Sequence, residues 1–275
     1  MEALLTHEGP IRLGIFAGVL TLMALLEWLA PRRRLSLGRG RRWFANLAIV
    51  VVNTAVLRLL FPILAVAAAA AAQTAGWGLF NLVALPFWLE VLLAVLALDL
   101  LIYWQHRLFH VVPLFWRIHR MHHADIDIDV TTALRFHPIE IVLSMLIKLA
   151  AVWLLGPAAV AVLLFEVLLN GTAMFNHANL RLPAGVDRAI RLLLVTPDMH
   201  RVHHSVHLEE TNSNYGFSVP WWDRLFGSYR DQPRDGHEAM RIGLAEWRSG
   251  VCANLVWMLM LPFRGKAAAS TEPAP

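Results

Sequence analysis

Long apolar segments separated by short polar stretches dominate the first two thirds of the chain. Ile11–Ala30, Trp43–Ala72 and Leu85–Trp104 are each long enough to cross the ~30 Å hydrocarbon core of a bilayer as a helix. Ile139–Leu155 and Ala158–Asn170 are shorter and are separated by a Gly-Pro pair, so they predict a tight hairpin that just spans or re-enters the bilayer. The pattern therefore predicts an all-α, multi-span integral membrane bundle.

Three smaller features modify this pattern. Lys148 and Glu166 lie inside the predicted hairpin, and charged residues within a span seldom face lipid. The alanine run Ala67–Ala72 is interpreted as the end of the second helix. Val251–Phe263 is too short to span, so we predict that it lies at the membrane interface.

The distribution of arginine predicts the orientation of the spans. Pro31 and three arginines follow the first apolar segment, which favours a stop-transfer anchor over a cleaved signal peptide. The loop between the first two segments carries six arginines in Arg32–Arg42, whereas Gln73–Ala84 carries no charge. The positive-inside rule then places the arginine loop in the cytoplasm and Gln73–Ala84 outside. The third span returns the chain to the cytoplasmic face just before His106.

Composition supports a membrane protein and excludes several kinds of site. Hydrophobic residues make up 57% of the chain and charged residues 16%, against about 25% charged residues in soluble domains. The net charge is +4, but the basic residues flank apolar segments, so we expect no nucleic-acid partner. The single cysteine, Cys252, excludes an internal disulfide, a cysteine-rich zinc site and an iron–sulfur cluster.

Histidine is concentrated in the second half of the chain, where eleven of the 13 histidines lie between His106 and His207. Three tight clusters stand out: HRLFH at 106–110, HRMHH at 119–123 and HRVHH at 200–204. On a helix, residues three and four apart share a face, so each cluster can direct imidazoles at iron, zinc or copper. Any one histidine could be an ordinary buried residue, but three clusters on one predicted side of the membrane favour a metal centre.

The ordered motifs resemble the fatty acid hydroxylase and sterol desaturase superfamily of membrane-bound, histidine-rich di-iron oxygenases. The resemblance covers roughly residues 85–230. It rests on the three clusters together with NHAN at Asn176–Asn179, PDMHRVHH at Pro197–His204 and NYGFSVPWWDRLFGSY at Asn214–Tyr229. It implies a four-helix membrane domain capped by a cytoplasmic helical lobe, with two iron ions bound between them.

The resemblance also implies which residues hold the metals. The predicted ligands are His106, His110, His119, His122, His123, His177, His200, His203 and His204. His137, Asp99 and Asp198 are candidates for groups that support a ligand, and His137 is a further candidate ligand. Asp99 shares the helical face of His106, so it either accepts that ring N–H or pairs elsewhere in the membrane.

Five other polar residues lie near the histidine clusters or outside every motif. Asp125, Asp127 and Asp129 either support the clusters or lie in a solvated loop. His207 and His237 lie outside every motif and are expected at the surface. No catalytic residue is predicted beyond the metal centre.

The chain is expected to divide into three parts. Residues 1–84 hold the N-terminal spans and the arginine-rich loop, residues 85–230 the di-iron domain, and residues 231–275 an interfacial segment and tail. No dinucleotide-binding motif, cysteine set or haem motif occurs in this sequence, so an external electron donor is expected.

The function implied by the resemblance is O₂-dependent hydroxylation of a C–H bond in a membrane lipid: a sterol, an ether lipid or a fatty acyl chain. The motif order, with TTALR at Thr131–Arg135, looks like the branch that holds sterol-modifying and ether-cleaving enzymes, which favours hydroxylation. The alternatives are a lipid desaturase using the same site, or a non-catalytic or zinc-dependent membrane metalloprotein. No HExxH occurs, and nine ligands exceed the three of a catalytic zinc.

Overall fold

The computed structural model describes residues 5–265, and over that range its regular elements are helices joined by loops and two isolated β-bridges. The long membrane helices and the short helices beside them are α1 (Glu8–Leu29), α2 (Arg39–Leu60), α3 (Ala65–Ala75), α4 (Leu79–Leu82), α5 (Phe87–Val111), α7 (Pro138–Leu155) and α8 (Ala159–Asn176). Five segments are long and apolar enough to cross a membrane: α1, the segment from α2 through α4, α5, α7 and α8. The all-helical prediction is therefore confirmed, and these five segments are candidates for the predicted spans.

The remaining helices form a cap at one end of the bundle. They are α6 (Pro113–His123), α9 (Ala184–Ile190), α10 (Pro197–His203), α11 (Leu208–Thr211), α12 (Trp221–Leu225), α13 (Gly236–Ala239) and α14 (Leu255–Met260). A 3₁₀ turn at Val130–Leu134 joins α6 to α7. Most of these helices are short.

The predicted second span is broken, which corrects the interpretation of the alanine run. Helix α2 ends at Leu60, and Pro62 follows after one residue. Proline lacks an amide hydrogen and disfavours helical backbone at the residue before it, so the helix stops there. Ala67–Ala72 therefore lies in the middle of a separate helix, α3, and is not the end of α2.

The third span is longer than the hydropathy pattern predicted. Helix α5 continues to Val111, so His106 and His110 lie on its last two turns and not in a segment after it. The two hairpin helices contain 18 residues each, which corresponds to a length of about 27 Å. That length is close to the ~30 Å apolar core, so the hairpin is long enough to cross the bilayer.

The hairpin turn lies at the end of the bundle opposite the cap. Asn81 donates to the Gly156 carbonyl at 2.9 Å, and Glu90 accepts from the Ala158 amide at 2.8 Å. Gly78 and Gly156 approach so closely that a Cβ on Gly156 would lie 2.1 Å from the Trp77 carbonyl oxygen. The uncharged 73–84 segment and this turn therefore share one end of the bundle, while the arginine loop and the histidines share the other.

A buried ion cluster joins α2 to the loop before the 3₁₀ turn. Arg42 lies 2.8 Å from Asp125 and 2.5 Å from Asp129, and all three side chains are buried. Asp127 is also buried and accepts from the Ser36 and Leu37 amides at 2.9 and 2.7 Å. These three aspartates were allowed to lie in a solvated loop, and that alternative is wrong because all three are buried. The Arg42 guanidinium, from another helix, pairs with two of them inside the protein.

The electrostatics of this cluster follow from its charges. Burial alone would raise the pKa of Asp125, but Arg42 and Arg135 outweigh it and hold the pKa below its ordinary value. Asp125 therefore remains a carboxylate and ties the cap to the membrane helices as an ion.

The segment 251–263 packs against the protein. Cys252, Trp257, Met258 and Leu261 are buried in a cluster with Ala45 and Ile49 of α2 and Met121 of α6. Its predicted position at the membrane interface stays a prediction, but the packing gives it a structural role at the base of the cap.

Candidate metal centre

Four helices bring the nine predicted histidines together where the cap meets the bundle. Helix α5 supplies two from its last turns, α6 supplies three, and α10 supplies His200 and His203. His177 and His204 are the first residues after α8 and α10. All nine side chains are buried.

The nine residues form two groups. Each histidine offers one ring nitrogen, and within a group these nitrogens all lie within 4.8 Å of one another. The five-histidine group contains His106, His110, His119, His123 and His203. The four-histidine group contains His122, His177, His200 and His204. The two groups are adjacent, since the stacked rings of His123 and His204 have centroids 4.6 Å apart.

The two HxxHH clusters are each divided between the groups. In α6, His119 and His123 belong to the five-histidine group and His122 to the other. In the second cluster, His200 and His204 belong to the four-histidine group and His203 to the other. Residues four apart lie nearly one above the other on a helix, whereas the residue between them is rotated toward the neighbouring group. Each of these clusters can therefore contribute to both groups.

Backbone hydrogen bonds on the outer ring nitrogens orient three of the histidines. The Nδ1 atoms of His106 and His203 lie 2.7 Å from the carbonyl oxygens of Tyr215 and Ser213, and Nδ1 of His177 lies 2.8 Å from the Ala173 carbonyl oxygen. Carbonyl oxygens only accept, so each Nδ1 carries the proton. Each Nε2 then presents a lone pair to the interior of the cluster, which is the arrangement that a metal-binding histidine requires.

The inward nitrogens fit a metal better than they fit one another. Nε2 of His106, His119, His123 and His203 is buried without a hydrogen-bond partner in the part of the chain that the structure describes. Nε2 of His177 lies 3.1 Å from Nε2 of both His122 and His200, although none of these three atoms carries a proton to share if all three face a metal. Unpaired buried nitrogens are costly, and metal coordination removes that cost.

Protonation of the cluster supports the same conclusion. Burial, followed by repulsion from neighbouring histidines, holds the pKa values of His122, His123, His200 and His204 well below the ordinary value. Burial lowers the pKa of His177 to about 3. The rings are therefore neutral near pH 7, and neutral imidazole is the form that binds metals.

Residues 91–228, half of the chain and a range that contains all nine histidines, match the family model named fatty acid hydroxylase. The chain belongs to the fatty acid hydroxylase family. No solved structure matches it.

Curated relatives in this family act on lipids according to their names. Ornithine lipid hydroxylase of Rhizobium tropici is 27% identical over 226 residues, which cover 80% of this chain and 67% of the relative. Alkylglycerol monooxygenase of Xenopus tropicalis is 31% identical over 164 residues, which cover 56% of this chain and 34% of the relative. A very-long-chain aldehyde decarbonylase of Oryza sativa subsp. indica is 27% identical over 183 residues, 60% of this chain and 28% of the relative. The chain therefore spans only about a third of the last two proteins.

The structure places Asp99 against an aromatic residue and away from the histidines. Its Oδ2 accepts from the indole nitrogen of Trp222 at 2.9 Å, and His106 instead bonds the Tyr215 carbonyl. Seven residues separate Asp99 from His106, which is about 10 Å along a helix axis and too far for a hydrogen bond. The alternative that Asp99 pairs elsewhere in the membrane is therefore the correct one.

His137 caps a helix and lies outside both groups. Its Nδ1 accepts from the Ile139 amide at the start of α7, and its Nε2 lies 3.1 Å from the Leu259 carbonyl oxygen. Nδ1 therefore caps the start of α7, and Nε2 joins that helix end to the segment 251–263. His137 supports the cap and belongs to neither candidate ligand set.

Asp198 contacts arginines and none of the nine candidate ligand histidines. It pairs with Arg32 at 3.2 Å and with Arg201, and it lies 3.6 Å from His237. His237 was expected at the surface, but it is buried, and burial lowers its pKa to about 4. His207 is part-exposed beside Asp235, in line with the surface expectation.

Glu140 is a functional candidate that the sequence interpretation missed. It lies in the first turn of α7, and its Oε1 is 2.7 Å from Nδ1 of His119. A carboxylate on the outer nitrogen of a ligand histidine fixes the ring and raises its basicity. The available signal was an acidic residue opening an apolar helix three residues after His137.

We expect Glu140→Gln to lower activity by about 10–100-fold, the usual effect of losing such an outer partner. The amide still occupies the position, but it carries no negative charge to hold the His119 N–H. Steady-state oxidation rates and bound metal per chain are the measurements. Glu209→Gln, at an exposed glutamate of the cap, is the control. Equal rates in the two variants would show that Glu140 has no role in orienting His119.

Proposed function

We propose that this protein is an O₂-dependent di-iron oxidoreductase that hydroxylates a C–H bond of a membrane lipid. The observation that carries the proposal is the pair of adjacent, buried histidine groups at the end of a membrane bundle. Iron ions held by the two groups would supply the redox chemistry that O₂ activation requires, since protein side chains alone cannot oxidise an unactivated C–H bond. An external electron donor provides the reducing equivalents.

The chain's own residues orient the ligands and exclude water. Backbone carbonyls and Glu140 hold Nδ1 protons outward, so that the Nε2 atoms converge. Phe136 stacks on His122 with ring centroids 4.6 Å apart, and Phe217 lies 5.0 Å from His106. These rings cover the histidines with apolar surface, which protects a reactive centre from solvent.

A cavity of about 350 Å³ supports a lipid as the substrate. It reaches the five-histidine group at His106 and His119 and continues between the membrane helices. The names of the hydroxylase and monooxygenase relatives favour insertion of oxygen, whereas the decarbonylase shows that the family is not limited to one outcome. Hydroxylation is therefore proposed ahead of desaturation.

Oxidation with ¹⁸O₂ tests the reaction. The purified iron-loaded protein, a reductant and a membrane lipid extract should give a lipid product carrying one ¹⁸O atom. A product that is only dehydrogenated, with the label in water, would replace hydroxylation by desaturation. Absence of O₂ consumption with every lipid fraction would count against the oxygenase as a whole.

The proposed orientation places the cap and its histidines in the cytoplasm. The arginine loop lies at the cap end, where Arg32 pairs with Asp198, and the positive-inside rule assigns that end to the cytoplasm. Single cysteines at the exposed positions Ala75 and Glu238 should react with an impermeant maleimide from opposite sides of the membrane. The native Cys252 is buried, so its labelling should be low. Labelling of both sites from one side would contradict the proposed topology.

A further inference from the structure

The cavity that begins at the five-histidine group ends at a charged cluster inside the bundle. Arg12 of α1, Lys148 of α7 and Glu166 of α8 line it together with mostly apolar residues. Glu166 lies 2.6 Å from Lys148 and 2.8 Å from Arg12. Two cations from different helices therefore share one carboxylate whose side chain is only 4% exposed.

The charged cluster lies well away from the histidines. Glu140 bonds His119, and Lys148 follows it by eight residues on the same helix. That separation is about 12 Å along the helix axis. On α8, Ala173 also lines the cavity, and its carbonyl oxygen contacts His177. Glu166 precedes Ala173 by seven residues, which is about 10 Å along the helix axis. The cavity thus has a metal end and a charged end.

At the charged end of the cavity, the wall carries more positive than negative charge; the other carboxylate of the wall, Glu140, lies at the metal end beside His119. Arg12 and Lys148 contribute two positive charges, and Glu166 contributes one negative charge. Glu8 lies 3.9 Å from Arg12 but is not part of the wall. Ionisable side chains within a membrane bundle are costly and commonly mark a substrate path. One additional anion in the cavity would leave as many negative as positive charges at this end.

We propose that the charged end binds the anionic group of a single-chain lipid, a carboxylate or a phosphate, while the chain extends toward His106 and His119. This inference rests on the proposed function, since it names the substrate class of the same site. The cavity volume of about 350 Å³ lies near the lower limit of ligand sites, ~300–1,000 Å³, and suits one narrow chain. Each carbon–carbon bond of about 1.5 Å advances an extended zigzag chain by roughly 1.25 Å, so a separation of about 12 Å puts the reacting carbon roughly ten carbons from the anion.

Binding of matched amphiphiles tests the inference without O₂ or a reductant. The probes are laurate, dodecyl phosphate and methyl laurate, added to the full chain in nanodiscs of phosphatidylcholine. At least one of the two anions should bind about tenfold more tightly than the uncharged ester, the gain expected for a charge-assisted hydrogen bond. Arg12→Gln and Lys148→Gln should each remove that preference and leave ester binding within about twofold.

Two further variants separate charge recognition from helix packing. Glu166→Gln breaks the same ion pairs but makes the cavity more positive, so it should strengthen anion binding. Arg58→Gln replaces an exposed arginine of α2 next to the cavity-lining Leu57 and should change neither ligand. If all three cavity variants weaken anions and ester alike, the cluster only joins helices and the inference is wrong.

The position of oxidation gives a second test. With carboxylates of ten, twelve and fourteen carbons, the oxidised carbon should stay at a constant count from the carboxylate. A constant count from the methyl end would overturn the inference while leaving the oxygenase intact. Anion-selective binding without any O₂ consumption would support the inference on binding and contradict the proposed function.

Discussion

His122→Ala is expected to abolish lipid oxidation, with a loss larger than the ~10–100-fold typical of outer partners. His122 belongs to the four-histidine group, and its Nε2 lies 3.1 Å from that of His177. Removing the ring leaves three histidines in that group and exposes the neighbouring lone pairs. His203→Ala should have the same effect through the five-histidine group. Oxidation rate and metal content per chain are the two measurements.

Metal content makes this prediction more specific than activity alone. The unaltered protein should bind close to two metal ions per chain, and each variant should lose mainly the ion of its own group. His207→Ala, a part-exposed histidine of the same cap beside Asp235, is the matched control and should keep both metals and full activity. Full activity in His122→Ala or His203→Ala would refute the ligand assignment.

Arg42→Met is expected to destabilise the protein by about 3–5 kcal/mol, the cost of removing one partner from a buried ion cluster. Asp125 and Asp129 would remain buried with no guanidinium between them, while the methionine fills the same space. The cap should then separate from the bundle more readily than the bundle itself unfolds. Denaturant titration in detergent micelles, followed by tryptophan fluorescence, measures the change.

The neighbouring residue supplies the control for this experiment. Arg41 is exposed on the same helix, so Arg41→Met should change the unfolding free energy by no more than about 0.5 kcal/mol. A similar loss in both variants would mean that arginine near the membrane surface matters in general. A negligible loss in Arg42→Met alone would show that the ion cluster does not hold the cap in place.

The amino-acid sequence determined the class of fold and the residues of the candidate centre. Apolar segments of membrane-spanning length predicted the helical bundle, because hydrogen-bonded helices are the form in which a single segment satisfies its backbone inside lipid. Five segments of the structure fit that prediction. The spacing of histidines also selected eight of the nine residues that the structure brings together, since helical periodicity is a local property, and the family resemblance added His177. Their role as metal ligands stays a prediction.

Only the tertiary structure decided how these residues are shared and what supports them. Sequence spacing suggested one face per cluster, whereas the structure divides both HxxHH clusters between the two groups. The carboxylate that holds His119 is Glu140, 21 residues away, and Asp99 bonds Trp222 instead, 123 residues away. Arg42 reaches Asp125 across 83 residues, which makes an apparently solvated aspartate loop a buried ion cluster. Such partners depend on which helices meet in space, and residue spacing along one helix carries no information about the side chains that another helix brings to it.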